Sequence, residues 1–439
     1  MFPSDRYWLK NARIPVCLIE NGNFSPQTRE GLCEVDLEIV GDKIAQLLPA
    51  GTSSNELPQH DLKKGIVLPC FADIHTHLDK AHIWERAAPP DYPGTFESAI
   101  AACQEDVRHW DAEDLYRRME FALKCSYAHG TKAIRTHLDS FGAQADISWE
   151  VWKTLQREWR APQSGSLRDR ITLQAVVLVS LDYFLTKDGV KLADKVAEWG
   201  GVLGGVAYLN PELDRQLEST FILARERNLS LDFHVDENAN PNSICLKKVA
   251  ETALKFEFKA PILCGHCCSL AVQPPDLVRE TLNLVKQANI GIVSLPMCNL
   301  YLQDRQSERT PHWRGVTLVH ELKNHQIPVS FASDNCRDPF FGFGDHDILE
   351  VFQQSVRIAH LDTPYRDWIA SVTRTPADLM GLGEVGRIGV GFPADLILFK
   401  ARTFSELLAR SQRDRVVIRN GQAIDTTLPD YAELDESDC

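Results

Sequence analysis

Between residues 66 and 332, eight short apolar runs alternate with longer amphipathic stretches, and this alternation constrains the fold more than any other feature. The runs lie at 66–68, 133–136, 172–178, 204–206, 231–233, 261–264, 290–294 and 328–332. Helical periodicity occupies stretches at 112–129, 192–198, 213–228, 275–287 and 316–324. Strands that are apolar throughout belong in the interior, with helices packed over them. Eight such strand–helix units over about 300 residues fit an α/β fold of the (β/α)8 barrel kind. The competing doubly wound sheet has no support, because neither GxGxxG nor GxxxxGK[ST] comes after the first run.

The two ends read differently. Residues 8–18 carry a mixed strand pattern, and residues 34–40 alternate apolar and polar as a half-buried strand does. A Gly41-Asp42 turn leads into a return strand at 43–48. Near the other end, 394–399 is a buried strand, and 415–419 runs into an Asn420-Gly421 turn. The simplest arrangement is one small β-domain made from 1–66 and 381–439, with the barrel, 67–380, inserted between them.

Composition narrows the partners. Lys plus Arg is 47 against 61 Asp plus Glu, a net charge of −14, and no dense basic block is present. Nucleic acid and membrane surfaces are therefore excluded as general partners. No apolar run reaches the ~18 residues of a membrane span, and residues 1–10 lack a signal-peptide layout. The 12 cysteines are scattered, several of them (Cys70, Cys125, Cys264, Cys298) inside apolar runs. They read as reduced, buried side chains of a cytoplasmic protein. Cys267-Cys268 are adjacent rather than CxxC, so a thiolate metal knuckle is not expected.

Barrel chemistry collects at the C-terminal ends of strands. Polar residues stand in order after these runs. His75 and His77 come after the first, His137 and Asp139 after the second, His234, Asp236 and Glu237 after the fifth, His266 after the sixth, and Asp334 and Asn335 after the eighth. Residues i and i+2 of an extended segment share a side, so His75 and His77 can reach one ion. Either pair member alone is weak evidence. Together, His75, His77, His234 and Asp334 supply three imidazoles and a carboxylate from three strand ends, a set suited to zinc or ferrous iron. A metal lowers the pKa of a water it holds from about 15.7 toward ~7. Asp334 is placed to take a proton from that water, Glu237 to shuttle a proton to the substrate, and His266 to orient the attacking oxygen.

These residues in this order resemble the amidohydrolase superfamily, and more closely its bacterial cytosine deaminase branch. The matching segments are His75-Thr76-His77-Leu78-Asp79-Lys80, Gly94-Thr95-Phe96-Glu97, Arg135-Thr136-His137-Leu138-Asp139, Leu173-Gln174, Asp232-Phe233-His234-Val235-Asp236-Glu237, Gly265-His266, 296–303, Ser333-Asp334-Asn335, Asp338-Pro339-Phe340-Phe341 and Gly391-Phe392-Pro393-Ala394-Asp395-Leu396. The resemblance implies a distorted (β/α)8 TIM barrel with a small β-sandwich domain formed by both termini. It implies one divalent ion per chain, Fe2+ or Zn2+, on His75, His77, His234 and Asp334, with Glu237 protonating a ring nitrogen and His266 orienting hydroxide. The third strand ends Leu178-Val179-Ser180, with no lysine to carry a bridging carbamate, so a mononuclear site is implied. It also implies a homo-oligomer acting on a small heterocycle.

The substrate-reading shell departs from that branch. Ser180, with Leu181-Asp182 after it, stands where the deaminases carry a glutamine that reads the pyrimidine. Asn335 replaces their second aspartate, and Phe340 a nearby indole. Ser180, Asp182, Asn335 and Phe340 are thus the substrate-binding candidates. Relatives that remove an alkylamine from triazine rings share the Ser-Asp-Asn turn but lack a glutamate at position 237. Three readings are open. The first is a metal-dependent deaminase of an amino-substituted nitrogen heterocycle, releasing ammonia. The second is hydrolysis of an N-alkylamine or cyclic amide on the same site. The third is an idle metal-holding protein, which should have lost Glu237 or His266. The His312-Trp313-Arg314 segment and the loop with His82, Trp84 and Pro89-Pro90 are candidates for the site mouth. The acidic end from Asp425 reads as a solvated tail.

Overall fold

The computed structural model describes residues 5–54, 56–87, 95–160 and 170–435. Pro89-Pro90, Gly94 and the last tail carboxylates, Glu436 and Asp438, lie outside the described residues.

All eight barrel strands are present and parallel. Phe71–Thr76, Thr131–Asp139 and Thr172–Leu178 form one sheet in that order. Leu203–Ala207, Leu231–Val235, Ile262–His266, Ile290–Ser294 and Val329–Phe331 form the other. Two parallel bridges, Val176 with Val202 and Ser180 with Val206, join the sheets on one side. A single bridge, Thr76 with Asp334, closes the ring on the other. Strands this short and almost wholly buried are what helices on the outside require.

The outer helices are bounded by ordinary caps. Asp111 accepts from the amides of Glu113 and Asp114 to start Ala112–His129, and Gly130, at φ 95°, ends it. Thr186 caps Lys187–Trp199, which stops at Gly200 in the left-handed region. Helices over 112–129 and 275–287 fall where the periodicity puts them. The helix expected over 316–324 begins later, at Val319.

One strand assignment changes. The run at 66–68 is not the first barrel strand. Val67–Pro69 pairs antiparallel with Leu396–Leu398, which pairs in turn with Val416–Arg419. The chain then breaks step at Cys70 and enters the barrel as Phe71–Thr76. A second sheet, Lys43–Pro49, Leu32–Val40, Arg6–Pro15 and Gln59–Asp61, lies against the first. Leu9, Val35, Leu37 and Ile39 from the N-terminal part share one apolar core with Leu396 and Ile418 from the C-terminal part. Among the described residues no helix is long and apolar enough to cross a membrane. The described cysteines are all free, and only Cys17 is not fully buried.

Candidate active site

Period-two geometry builds the site. Asp73, His75 and His77 project from one side of the first strand, Arg135 and His137 from the second, and Asp232 and His234 from the fifth. Their side chains meet inside the ring. The floor is a polar layer in which Arg135 Nη1 lies 3.1 Å from Asp232 Oδ2 and Arg135 Nε donates to Gln174 Oε1 at 3.0 Å. Gln174 passes the chain on to the Met380 carbonyl at 2.9 Å. Gly265 leaves room for His75, since a Cβ there would meet the imidazole Cε1 at 3.0 Å.

Above that floor stand five buried histidines. His75, His77 and His234 offer ligand atoms within 4.8 Å of one another, and so do His75, His266 and Asp334. His75 Nε2 and His77 Nε2 lie 3.4 and 3.2 Å from Asp334 Oδ1. The Nε2 atoms of His77 and His234 face each other at 3.4 Å. Neither oxygen of Asp334 has a hydrogen-bond partner, nor does His75 Nε2 or His266 Nε2. Buried polar atoms are rarely left so. Imidazole nitrogens and a carboxylate converging within ligand distance of one another fit a divalent ion as the common partner.

The electrostatics agree. Burial, then the Lys80 charge, lowers His77 to about 4, and burial lowers His266 to about 3. Burial, then the neighbouring His75, holds His234 well below the usual range. These imidazoles are neutral and can donate lone pairs. Burial by itself would raise Asp334, but the His75 and His77 rings outweigh it and hold the carboxyl well below its ordinary range. Backbone strain gathers here as well: Asp236, His266 and Asp334 have φ of 53°, 67° and 64°.

Glu237 sits at the rim. Its Oε1 accepts from Asn299 Nδ2 at 3.0 Å and lies 3.2 Å from His266 Nδ1. Asn299 Nδ2 also approaches His266 Nδ1 at 3.0 Å, so one amide positions both groups. Burial, then the Asp334 charge, pushes Glu237 well above the ordinary carboxylate range. Gln303 Nε2 donates to the Glu237 carbonyl at 3.2 Å. Asp236, by contrast, is spent locally: it accepts from Ser243 Oγ and from the amides of Cys245 and Leu246, fixing the loop that carries Glu237.

The remaining candidates are spread around the strand ends. Asn335 is buried, donates to Asp338 Oδ2 at 2.7 Å and receives the Cys298 thiol at 3.5 Å. Phe340 packs on Phe96 at 5.7 Å, with Lys80 Nζ 5.6 Å above its ring. Lys80 is itself held by Asp139 at 2.8 Å. Ser180 is half-buried before the turn Leu181–Leu185, and Asp182 is exposed on it; neither is hydrogen-bonded to the histidine cluster. Burial, then the Glu237 charge, raises the phenol of Tyr208, just past the fourth strand, with Lys80 acting against them. Trp313 and Arg314 line a cleft of about 500 Å3 with Leu300, whose helix also carries Asn299.

Sequence reasoning singles out neither Asn299, nor Tyr208, nor Asp232, and gives His137 no role. The His137 ring lies tilted against His75 with centroids 4.0 Å apart, and both its nitrogens lack hydrogen-bond partners. Its position two residues after Arg135, on the same side of the strand, is the available signal.

Comparison with known proteins gives a consistent result. A model of the Amidohydrolase family matches residues 98–425. The chain is 47% identical over 433 residues to a pterin deaminase of Rhizobium rhizogenes, covering 98% of this chain and 96% of that one. It is 25% identical over 401 residues to the N-isopropylammelide isopropyl amidohydrolase of a Pseudomonas species, covering 89% and 93%. The solved 5-methylcytosine deaminase of Klebsiella pneumoniae, liganded with 5-fluorocytosine, superposes with a TM-score of 0.79 at 23% identity, over 97% of this chain and 98% of that one.

Proposed function

The chain belongs to the amidohydrolase family, and from that premise we propose that it deaminates a pterin, a bicyclic 2-amino-4-oxo heterocycle. It is a hydrolase of carbon–nitrogen bonds, and an amino-substituted nitrogen heterocycle is its class of substrate. The observation that carries the finer reading is the 47% identity to a pterin deaminase along nearly the whole chain. The substrate shell supports it. Relative to cytosine deaminases, Ser180 for glutamine and Phe340 for an indole both remove volume. A two-ring substrate needs that room.

His75, His77, His234 and Asp334 would hold one divalent ion per chain, Fe2+ or Zn2+. Bound there, the ion lowers the pKa of a water toward ~7 and makes a nucleophile available near neutrality. Asp334 accepts the proton that water loses. His266, neutral and turned inward at Nε2, orients the attacking oxygen toward the amino-bearing ring carbon. Glu237, kept protonated by burial and the Asp334 charge, gives its proton to the adjacent ring nitrogen. The carbon–oxygen bond forms, the proton held by Asp334 passes to the amino group, the carbon–nitrogen bond breaks and ammonia leaves, and the hydroxyl proton returns to Glu237. A ring carbonyl remains. Asn299 keeps Glu237 and His266 in register.

Metal-loaded protein should release ammonia from pterin at a kcat/KM above that for cytosine. No ammonia from any aminopteridine, with metal bound, would refute the reading. N-alkylamine hydrolysis is the second reading, supported by the resemblance at 25% identity and by Asn335 after the metal aspartate. The mass of the organic product and of the amine separates the two. We further propose a cytoplasmic homo-oligomer with the β-domain from 1–66 and 381–439, extended by the strand Val67–Pro69 that pairs with Leu396–Leu398, beside the barrel; light scattering on the purified protein measures the oligomeric state.

A further inference from the structure

We propose that His82, Cys336 and His346 form a second metal site, with two imidazole nitrogens and one thiolate sulfur as donors for a zinc-type ion, structural in role and beside the catalytic centre. The ligand atoms of all three lie within 4.8 Å of one another. All three residues are buried, His82 at 6%, Cys336 at 1% and His346 at 3% exposure. His82 Nε2 and His346 Nε2 face each other at 3.3 Å. That is long for a hydrogen bond between two ring nitrogens. It is the separation expected of two nitrogens each about 2.05 Å from a tetrahedral zinc, which stand about 3.3 Å apart.

Several features single out this cluster. The Nδ1 atoms of both rings lack hydrogen-bond partners, so the pair is not held by a network that would explain its burial. Burial lowers His346 to about 4, and burial with the neighbouring His346 lowers His82 well below the usual range, so both lone pairs are free at neutral pH. Burial, then the Asp345 and Asp338 charges, pushes the Cys336 thiol well above its ordinary range, so it keeps its proton until an ion displaces it. On binding, the ion would displace the Cys336 proton to solvent and be held by a thiolate and two imidazoles, with a fourth position for water.

The location gives the role. His82 lies on the segment after the first barrel strand, and Cys336 and His346 on the segment after the eighth. The backbone already ties these two segments at His82 N to Cys336 O, 3.1 Å, and Trp84 N to Arg337 O, 2.8 Å. The same segments carry Lys80 and Asn335, at the edge of the substrate shell. A metal here would lock that edge without touching substrate.

The test uses the full-length protein, stripped by chelation and titrated with Co2+. Expected are two cobalt ions per chain and a thiolate-to-cobalt charge-transfer absorption in the near-ultraviolet. The catalytic donor set contains no thiolate, although Cys298 is near it. The band should therefore persist in Cys298→Ser and vanish in Cys336→Ser and His346→Ala, each of which should keep one cobalt. One ion per chain in the wild type, two ions without the band, or a band lost in Cys298→Ser overturns the proposal. If Cys336→Ser does not fold, X-ray absorption of the doubly loaded Cys298→Ser protein decides: sulfur bound directly to cobalt supports the site, and its absence overturns it.

Discussion

Replacing Glu237 with glutamine tests the proton shuttle without disturbing its surroundings. The side chain keeps its length, and the amide oxygen can still accept from Asn299 Nδ2, which lies 3.0 Å from the native carboxylate. No metal-type donor is removed. What is lost is the proton that goes to the ring nitrogen. A positioned general acid contributes roughly 10²–10⁴-fold, which at 1.36 kcal/mol per tenfold is about 3–5 kcal/mol of barrier. Loss of that size in kcat is expected, with KM nearly unchanged and bound metal at the wild-type level. The pH profile adds an independent sign. A group that must be protonated, and whose pKa is raised, loses its contribution as pH rises through the folded pKa. Wild-type activity should therefore fall on the basic side, and that limb should be missing in Glu237→Gln. The assay is ammonia release under single-substrate steady-state conditions, beside metal analysis of the same sample. A variant with normal metal content and kcat within about threefold of wild type, far short of the general-acid contribution, would refute the shuttle role.

Gly265→Ala should weaken metal retention while leaving the fold intact, because the new methyl meets His75 Cε1 at 3.0 Å; metal content after dialysis and far-ultraviolet circular dichroism check both halves. Ser180→Gln should fill the space proposed for the second ring and lower kcat/KM for pterin more than for cytosine, by roughly the 1–3 kcal/mol that overpacking costs; competition kinetics measure the ratio. Burial raises Asp338 to about 7, against which the Asn335 amide and Lys80 act only partly. Its raised pKa means that the folded state holds a proton the unfolded chain has lost, so stability falls as pH rises from about 4 to about 7. Asp338→Asn should flatten urea-unfolding stability across that window by about 1.4 kcal/mol per pH unit.

The donors are most legible in the sequence where one strand or one turn carries them. His75 and His77 share a side by simple alternation, and Glu237 lies three residues past His234, so short spacing locates them. The barrel is legible because most buried runs are separated from the next by an amphipathic stretch. The first strand begins later than its run suggests, because apolar character continues from Ile66 to Ala72. No pattern within that run shows that Val67–Pro69 pairs with residues 396–398. Asn299 is hidden for a different reason. It reaches Glu237 from a helix after the seventh strand, 62 residues away, and nothing in a linear chain marks a contact between loops. His82 and His346 share that difficulty, since each is an isolated histidine until the barrel brings its first and last strand ends together.

That meeting of first and last strands bears on how the protein is made. The ring closes at one bridge, Thr76 with Asp334, where Thr76 Oγ1 donates to the Asp334 carbonyl at 2.9 Å across 258 residues of chain. Contacts so distant in sequence form late, after local units have settled. The same residue that seals the seam is the carboxylate of the proposed donor set. A ribosome that has not yet delivered residue 334 therefore holds a chain with neither a closed barrel nor a complete centre. On the proposed donor set, a chain that ends before Asp334 lacks both the closing bridge and one metal donor, and is expected to release no ammonia.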